Sequence, residues 1–206
     1  MSKKKKQIAE EPDFLYYNLL PWEVNWAADY ARQSNDKFKN YPQLNFRTDD
    51  VRILNAFTGA AGEFAFKEML SDETRKLLRE WPAENNALGS YYDFLFDNGA
   101  GQNVTVDVKT TASYSDYVHS PEECNFFYPK EWADQKKARG IPLCDIYIQM
   151  YYDMKEHRAF FIGAISLSKL CDLEKERSTW NGGFKVLQSE MDLTAKWLPY
   201  LTNRSN

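Results

Sequence analysis

The chain has 206 residues, 43% hydrophobic and 16% aromatic, which suits one domain with a real core and excludes a disordered composition. Its net charge of −4 supplies no global attraction to phosphate, so a nucleic-acid partner would have to be held by local patches. Three widely spaced cysteines (Cys124, Cys144, Cys171), with no CxxC pair, argue against a disulfide framework or a zinc site and fit a reducing cytoplasm.

No apolar run approaches the roughly 18 residues a membrane span needs, so no membrane partner is expected. The Lys3 to Lys6 run lacks the apolar stretch of a secretory signal. Residues 1–12 read as a flexible, basic tail. From Phe14 to about Ala31 an aromatic-rich segment has helical spacing, with Leu19, Trp22, Trp26 and Tyr30. Pro42 marks a break. A second helix then begins at Thr48, a plausible N-cap, with Asp49 and Asp50 in the first turn where the dipole favours anions. Leu54, Phe57, Ala61 and Phe64 continue it, and the pattern extends past Leu70. Trp81-Pro82 closes the region, and Glu84 to Ser90 reads as a loop.

Two strands follow, Tyr91 to Phe96 and Val104 to Thr111, joined through the turn residues Asp97-Asn98-Gly99-Ala100-Gly101 as an antiparallel hairpin. A short helix is expected near Lys130 to Arg139. Strands are expected at Cys144 to Tyr152, Ala159 to Ile165 and Phe184 to Leu187. A short helix fits Leu167 to Leu173, and a closing helix lies around Leu193 to Leu201. The element sequence implies an α/β domain with a mixed central sheet.

The second hairpin strand carries the chemistry. In Val104-Thr105-Val106-Asp107-Val108-Lys109-Thr110 the valines fall on one face, and Thr105, Asp107 and Lys109 on the other. Asp93 is the lone acid among Tyr91, Tyr92, Phe94, Leu95 and Phe96, which is costly to bury without a partner or a metal. Two carboxylates on adjacent strands can hold a hard divalent cation through oxygen. Two other acid-x-Lys triplets, Asp134-Gln135-Lys136 and Asp153-Met154-Lys155, lie in a polar helical stretch and at a turn, outside such a context.

This order of elements resembles the PD-(D/E)xK nuclease superfamily, the restriction-endonuclease-like fold: a helix carrying Glu, an Asp on the first strand, then (D/E)-x-K on the second. Gly59-Ala60-Ala61-Gly62-Glu63-Phe64-Ala65 is similar to the helical element, Asp93 to the first-strand acid, and Asp107-Val108-Lys109 to the closing triplet. The resemblance spans roughly residues 50–170. Tyr92 departs from the motif's Pro, and a hairpin after Asp145 replaces the helix expected between the later core strands.

The resemblance implies a restriction-endonuclease-like core of about residues 50–170 within a single nuclease domain over 13–206, with a helical N-terminal extension and a C-terminal strand and helix. It implies a Mg²⁺-dependent deoxyribonuclease, with Mn²⁺ as substitute, acting as an endonuclease on DNA. RNA and exonuclease action stay open. Glu63, Asp93 and Asp107, with the Val108 carbonyl, are the implied metal ligands, and Lys109 completes the catalytic set. Gln149, on the same side of its strand as Asp145, is a further candidate. The implied setting is a cytoplasmic phage or bacterial enzyme, a homodimer or part of a larger nucleic-acid-processing assembly.

Other readings stand beside this one. Glu63 and Lys67 have the spacing of a helix-surface ion pair, and Asp93 with Lys109 that of a cross-strand salt bridge. Lys136, Lys137 and Arg139 form a basic patch that also suits a solvated helix face, and His119 and His157 have no second ligand at useful spacing. A catalytically inactive nucleic-acid-binding module of the same fold, and an unrelated interaction protein, are the rival functions.

Overall fold

The computed structural model describes residues 8–11, 14–38, 48–79, 92–97, 103–113 and 118–192. The class is α/β, with a mixed sheet and helices. The chain forms two compact units, one within Met1–Met69, Thr110–Glu123 and Met150–Phe161, the other within Leu70–Lys109, Cys124–Gln149 and Ile162–Asn206.

In the first unit, β1 (Ile8–Glu11) pairs antiparallel with β2 (Phe14–Asn18), Ile8 opposite Tyr17 and Glu11 opposite Phe14. β2 then pairs antiparallel with β8 (Arg158–Ser166), Leu15 opposite Phe161. Strand order in this unit is β1-β2-β8-β7-β5, where β7 is Ile146–Asp153 and β5 is Asn103–Ala112. Two expectations are corrected here. Residues 8–11, assigned to the flexible tail, form a strand, and the helix expected from Phe14 begins only at Pro21. The physical reason is visible in β2, where Leu15 and Tyr17 are buried and their neighbours half-buried, a period of two that five residues barely register. α1 (Pro21–Phe38) starts on a proline, which needs no backbone donor there. The buried Glu23 carboxylate accepts the Leu20 N–H at 2.8 Å and the Tyr17 hydroxyl at 2.9 Å, closing the helix start.

α2 (Asp49–Met69) begins where expected, with Thr48 O accepting the Arg52 N–H at 3.0 Å. It ends at Met69, short of the predicted extension past Leu70. Its buried side carries Phe57, Ala60, Ala61, Gly62, Ala65, Phe66 and Met69. Phe64 takes the rings of Trp22 and Trp26 from α1, at 5.8 and 5.5 Å between centroids. A Cβ added at Gly62 would fall on the Thr110 hydroxyl and 2.9 Å from that residue's Cβ and Cγ2. The small residue is what allows this close approach of helix and strand.

In the second unit the order is β8-β7-β5-β4-β3, where β4 is Phe94–Asp97 and β3 is Leu78–Arg79. Ser71 caps α3 (Asp72–Lys76), accepting the Thr74 N–H, and β3 (Leu78–Arg79) follows; neither element has a signal long enough to read from sequence. β3 pairs antiparallel with β4 (Phe94–Asp97), and β4 with β5 (Asn103–Ala112), Phe94 opposite Val106 and Asp97 opposite Asn103. The predicted hairpin is therefore present, with its first strand starting at Phe94 instead of Tyr91. α4 (Lys130–Ala138) matches the expected short helix. β7 (Ile146–Asp153) and β8 are buried almost throughout, as their largely apolar runs require, with Gln149 a buried polar residue within β7. Ser166 caps α5 (Leu167–Glu176), which outlasts its predicted end at Leu173. β9 (Phe184–Val186) pairs with β6 (Phe126–Tyr128) in a separate two-stranded sheet. The break at Pro42, the Trp81-Pro82 closure, the loop at 84–90, the turn centre at 98–101 and the closing helix at 193–201 lie outside the described residues. No described helix is long and apolar enough to cross a membrane.

Candidate functional site

β5 delivers Asp107 and Lys109 to one side, two residues apart, as strand alternation dictates. The expectation that Val106 and Val108 feed the core holds, with both buried. Asp107 is buried too, at 5% exposure, so both faces of the strand are covered at this point. The Lys109 ammonium donates to Asp107 Oδ1 at 2.6 Å. Asp107 Oδ2 is buried and has no hydrogen-bond partner among the described residues. A carboxylate oxygen in that condition carries a desolvation cost that a cation or a donor would offset.

Asp93 immediately precedes β4. Its N–H donates to Val106 O at 2.8 Å, and its Oδ2 accepts the Val108 N–H at 2.6 Å. Asp93 thus holds the β5 backbone on either side of Asp107, through its own N–H at Val106 and its carboxylate at Val108. On the other neighbour of β5, the Asp145 carboxylate accepts both the Thr105 N–H at 2.8 Å and its hydroxyl at 2.7 Å. Burial pulls the Lys109 pKa down, but the Asp107 and Asp93 charges and the Asp107 hydrogen bond overturn that, holding the ammonium above the ordinary lysine value.

α4 adds two residues that sequence reasoning did not bring to this site. The Lys136 ammonium lies 3.6 Å from the centre of the Trp132 ring, and the Lys109 ammonium lies 6.0 Å from it. Burial draws the Lys136 pKa below the usual lysine value, with Lys109 repulsion adding to this and the Asp107, Cys144 and Asp93 charges opposing it. Of the basic patch, Lys136 is therefore a half-buried residue within the field of the acids, while Lys137 and Arg139 stay exposed. The available signal was the four-residue spacing of Trp132 and Lys136 on a short amphipathic helix. Burial, with the Asp107 charge, pushes the Cys144 thiol up to about 12, so it is a protonated, inert neighbour near neutral pH.

Gln149 is buried and donates to the Cys124 sulfur at 3.4 Å. Glu63 is half-buried on α2 and belongs to the first unit, whereas Asp93, Asp107 and Lys109 belong to the second. His157 accepts or shares a proton with the Tyr152 hydroxyl at 2.8 Å, a structural role at its turn. Asp134 of the first alternative triplet is paired with Lys130 at 2.5 Å, and Asp153 of the second accepts the Lys155 N–H, closing a turn.

An all-oxygen donor set of two carboxylates suits a hard divalent cation, and the buried Asp107 Oδ2, without a hydrogen-bond partner among the described residues, is the atom that fits it. Among the described residues no group of three or more His, Cys, Asp or Glu side chains is arranged to hold a metal ion. The fit thus rests on Asp107 and Asp93, with backbone carbonyls and water completing the oxygen ligands such ions take. Comparison of the chain with protein-family models, curated proteins and solved structures finds no match in any of the three.

Proposed function

We propose that this protein is a metal-dependent nuclease of the restriction-endonuclease-like type, hydrolysing phosphodiester bonds of DNA as an endonuclease. The observation that carries this reading is the divided Asp107 carboxylate, with Oδ1 held by the Lys109 ammonium and Oδ2 buried without a hydrogen-bond partner among the described residues. A carboxylate used only as an ion-pair partner for lysine has no need of burial at both faces of a strand.

In this reading Asp107 Oδ2, Asp93 and the Val108 carbonyl would hold Mg²⁺, or Mn²⁺ in its place. The resemblance alone would add Glu63, a residue of the first unit. When bound, the ion polarises the phosphodiester and lowers the pKa of a coordinated water. Lys109, oriented by Asp107 and kept protonated by the two acids, supplies a fixed positive charge for the negative charge that develops on phosphate oxygens. Asp93, bonded to the Val108 N–H, keeps Asp107 and Lys109 in register with β4.

The test is incubation of purified protein with labelled linear and covalently closed circular DNA and Mg²⁺ or Mn²⁺, beside Asp107→Ala and Lys109→Ala. Metal-dependent cleavage lost in both folded variants supports the reading, and cutting of closed circles makes the enzyme an endonuclease. A wild type that cuts neither DNA nor RNA, yet binds DNA, transfers the assignment to an inactive binding module.

A further inference from the structure

Trp132 and Lys136 stand one helical turn apart on α4, and the Lys136 ammonium rests 3.6 Å from the ring centre. The catalytic candidate Lys109 reaches within 6.0 Å of the same ring. Despite these two neighbours the tryptophan is still 41% exposed. A large, rigid π-surface thus opens to solvent beside the lysine that faces Asp107, with a second ammonium lying against it. In a chain of net charge −4, these two ammoniums offset the Asp107 and Asp93 charges, so that repulsion of phosphate is reduced at this point.

We propose that Trp132 and Lys136 are the nucleotide-binding element of the site, Trp132 stacking on an unpaired base and Lys136 holding the adjoining phosphate, so that the substrate is a single-stranded segment of nucleic acid. The assignment rests on the nuclease reading for its location beside the scissile bond. A base inside a duplex has both faces covered by its neighbours and offers nothing to a tryptophan. A base in a single strand has a free face, whatever its identity. An ammonium at the ring suits the alternation of base and phosphate along a strand, because the cation that now lies on the ring can move to the phosphate as the base takes its place. Lys136 also adds a positive charge to a cluster whose acids would otherwise repel a polyanion.

Fluorescence anisotropy with a labelled 12-nucleotide oligothymidylate and a blunt 12-base-pair duplex, with Ca²⁺ replacing Mg²⁺, tests the assignment directly. Wild type is expected to bind the single strand at least about tenfold more tightly than the duplex. Trp132→Ala should weaken single-strand binding by about tenfold, the loss of one stacked base, and change duplex binding less than about twofold. Trp132→Phe, which keeps an aromatic face, should restore most of the affinity. Lys136→Gln should lower the slope of log affinity against log salt by about 0.7, one phosphate contact on a single strand.

The assignment is overturned if wild type prefers duplex or binds neither probe, or if Trp132→Ala weakens both probes equally or neither. A parallel Mg²⁺ cleavage assay separates the two claims. Protein that shows the binding pattern but cuts nothing sinks the nuclease reading and keeps the binding element. Protein that cuts strand and duplex alike, with Trp132→Ala unimpaired, keeps the nuclease and sinks the binding element.

Discussion

The Lys109 ammonium is 2.6 Å from one oxygen of Asp107, while the second oxygen of that carboxylate is buried without a hydrogen-bond partner among the described residues. The pair is therefore asymmetric. Lys109 orients the carboxylate and neutralises part of its charge, and Oδ2 carries its desolvation cost without that offset.

Asp107→Asn keeps the size of the side chain and removes its charge. Mg²⁺ at about 100 times its dissociation constant is expected to stabilise the folded wild type by about 2.7 kcal/mol, and this gain should vanish in Asp107→Asn. On the proposed nuclease reading, cleavage should fall by about 10²–10³-fold, the range found when one electrostatic contribution to a transition state is removed. Thermal melts with and without Mg²⁺, alongside gel assays, read both. An Mg²⁺-induced rise in melting temperature that survives the substitution excludes Asp107 as the ligand.

Asp145 ties β5 to the start of β7 through three hydrogen bonds with Thr105, two to its carboxylate and one from its N–H to the Thr105 hydroxyl at 3.0 Å. Asp145→Ala should cost about 1.5 kcal/mol in urea denaturation, the lower range for bonds to a charged acceptor. Asp145→Asn, which retains an oxygen acceptor, should lose less. Equal losses for the two variants would mean that the acceptor bonds contribute nothing.

Gly62→Ala gains helix propensity of up to about 1 kcal/mol but drives a methyl group into Thr110. The net effect is expected to be a loss of about 1–3 kcal/mol, as for overpacked sites. Thr110→Ala in the same chain should recover part of it, giving a favourable coupling in a double-mutant cycle. A Gly62→Ala protein as stable as wild type would show that the helix can move away from β5 freely.

Tyr128 is buried, and its hydroxyl has no hydrogen-bond partner among the described residues. Tyr128→Phe is expected to stabilise the protein by about 1 kcal/mol at pH 7, because it removes an unsatisfied buried polar group. Burial, with the Cys171, Glu174 and Asp134 charges adding, pushes this phenol up to about 12. A raised phenol pKa contributes stability that is fully present below the unfolded value of about 10 and is lost as pH climbs through 12. Wild type should therefore lose more stability than Tyr128→Phe between pH 10 and 12, measured by denaturant midpoints across that window.

Much of the site was legible locally. The alternation in Val104 to Lys109 tells which residues share a face before any partner is known, and it put Asp107 beside Lys109. Thr48 followed by Asp49 and Asp50 gave the start of α2 for the same kind of reason, since a cap and a first turn are local chemistry. β2 and β6 were not legible, being five and three residues long. In elements that short, period two and period 3.6 are indistinguishable.

What the sequence by itself determined is the pairing of a carboxylate and an ammonium on one face of a strand, with a second acid at the start of the strand before it. The backbone's own geometry imposes that, through bonds between residues close in the chain. What only the tertiary structure decided is the company this pair keeps: Trp132 and Lys136 from α4, the Asp145 clasp on Thr105, and burial on both sides of Asp107. The contacts from Lys109 to Trp132 and from Thr105 to Asp145 join residues 23 and 40 positions apart in the sequence. No local periodicity encodes them, because they arise from the packing of whole elements against one another.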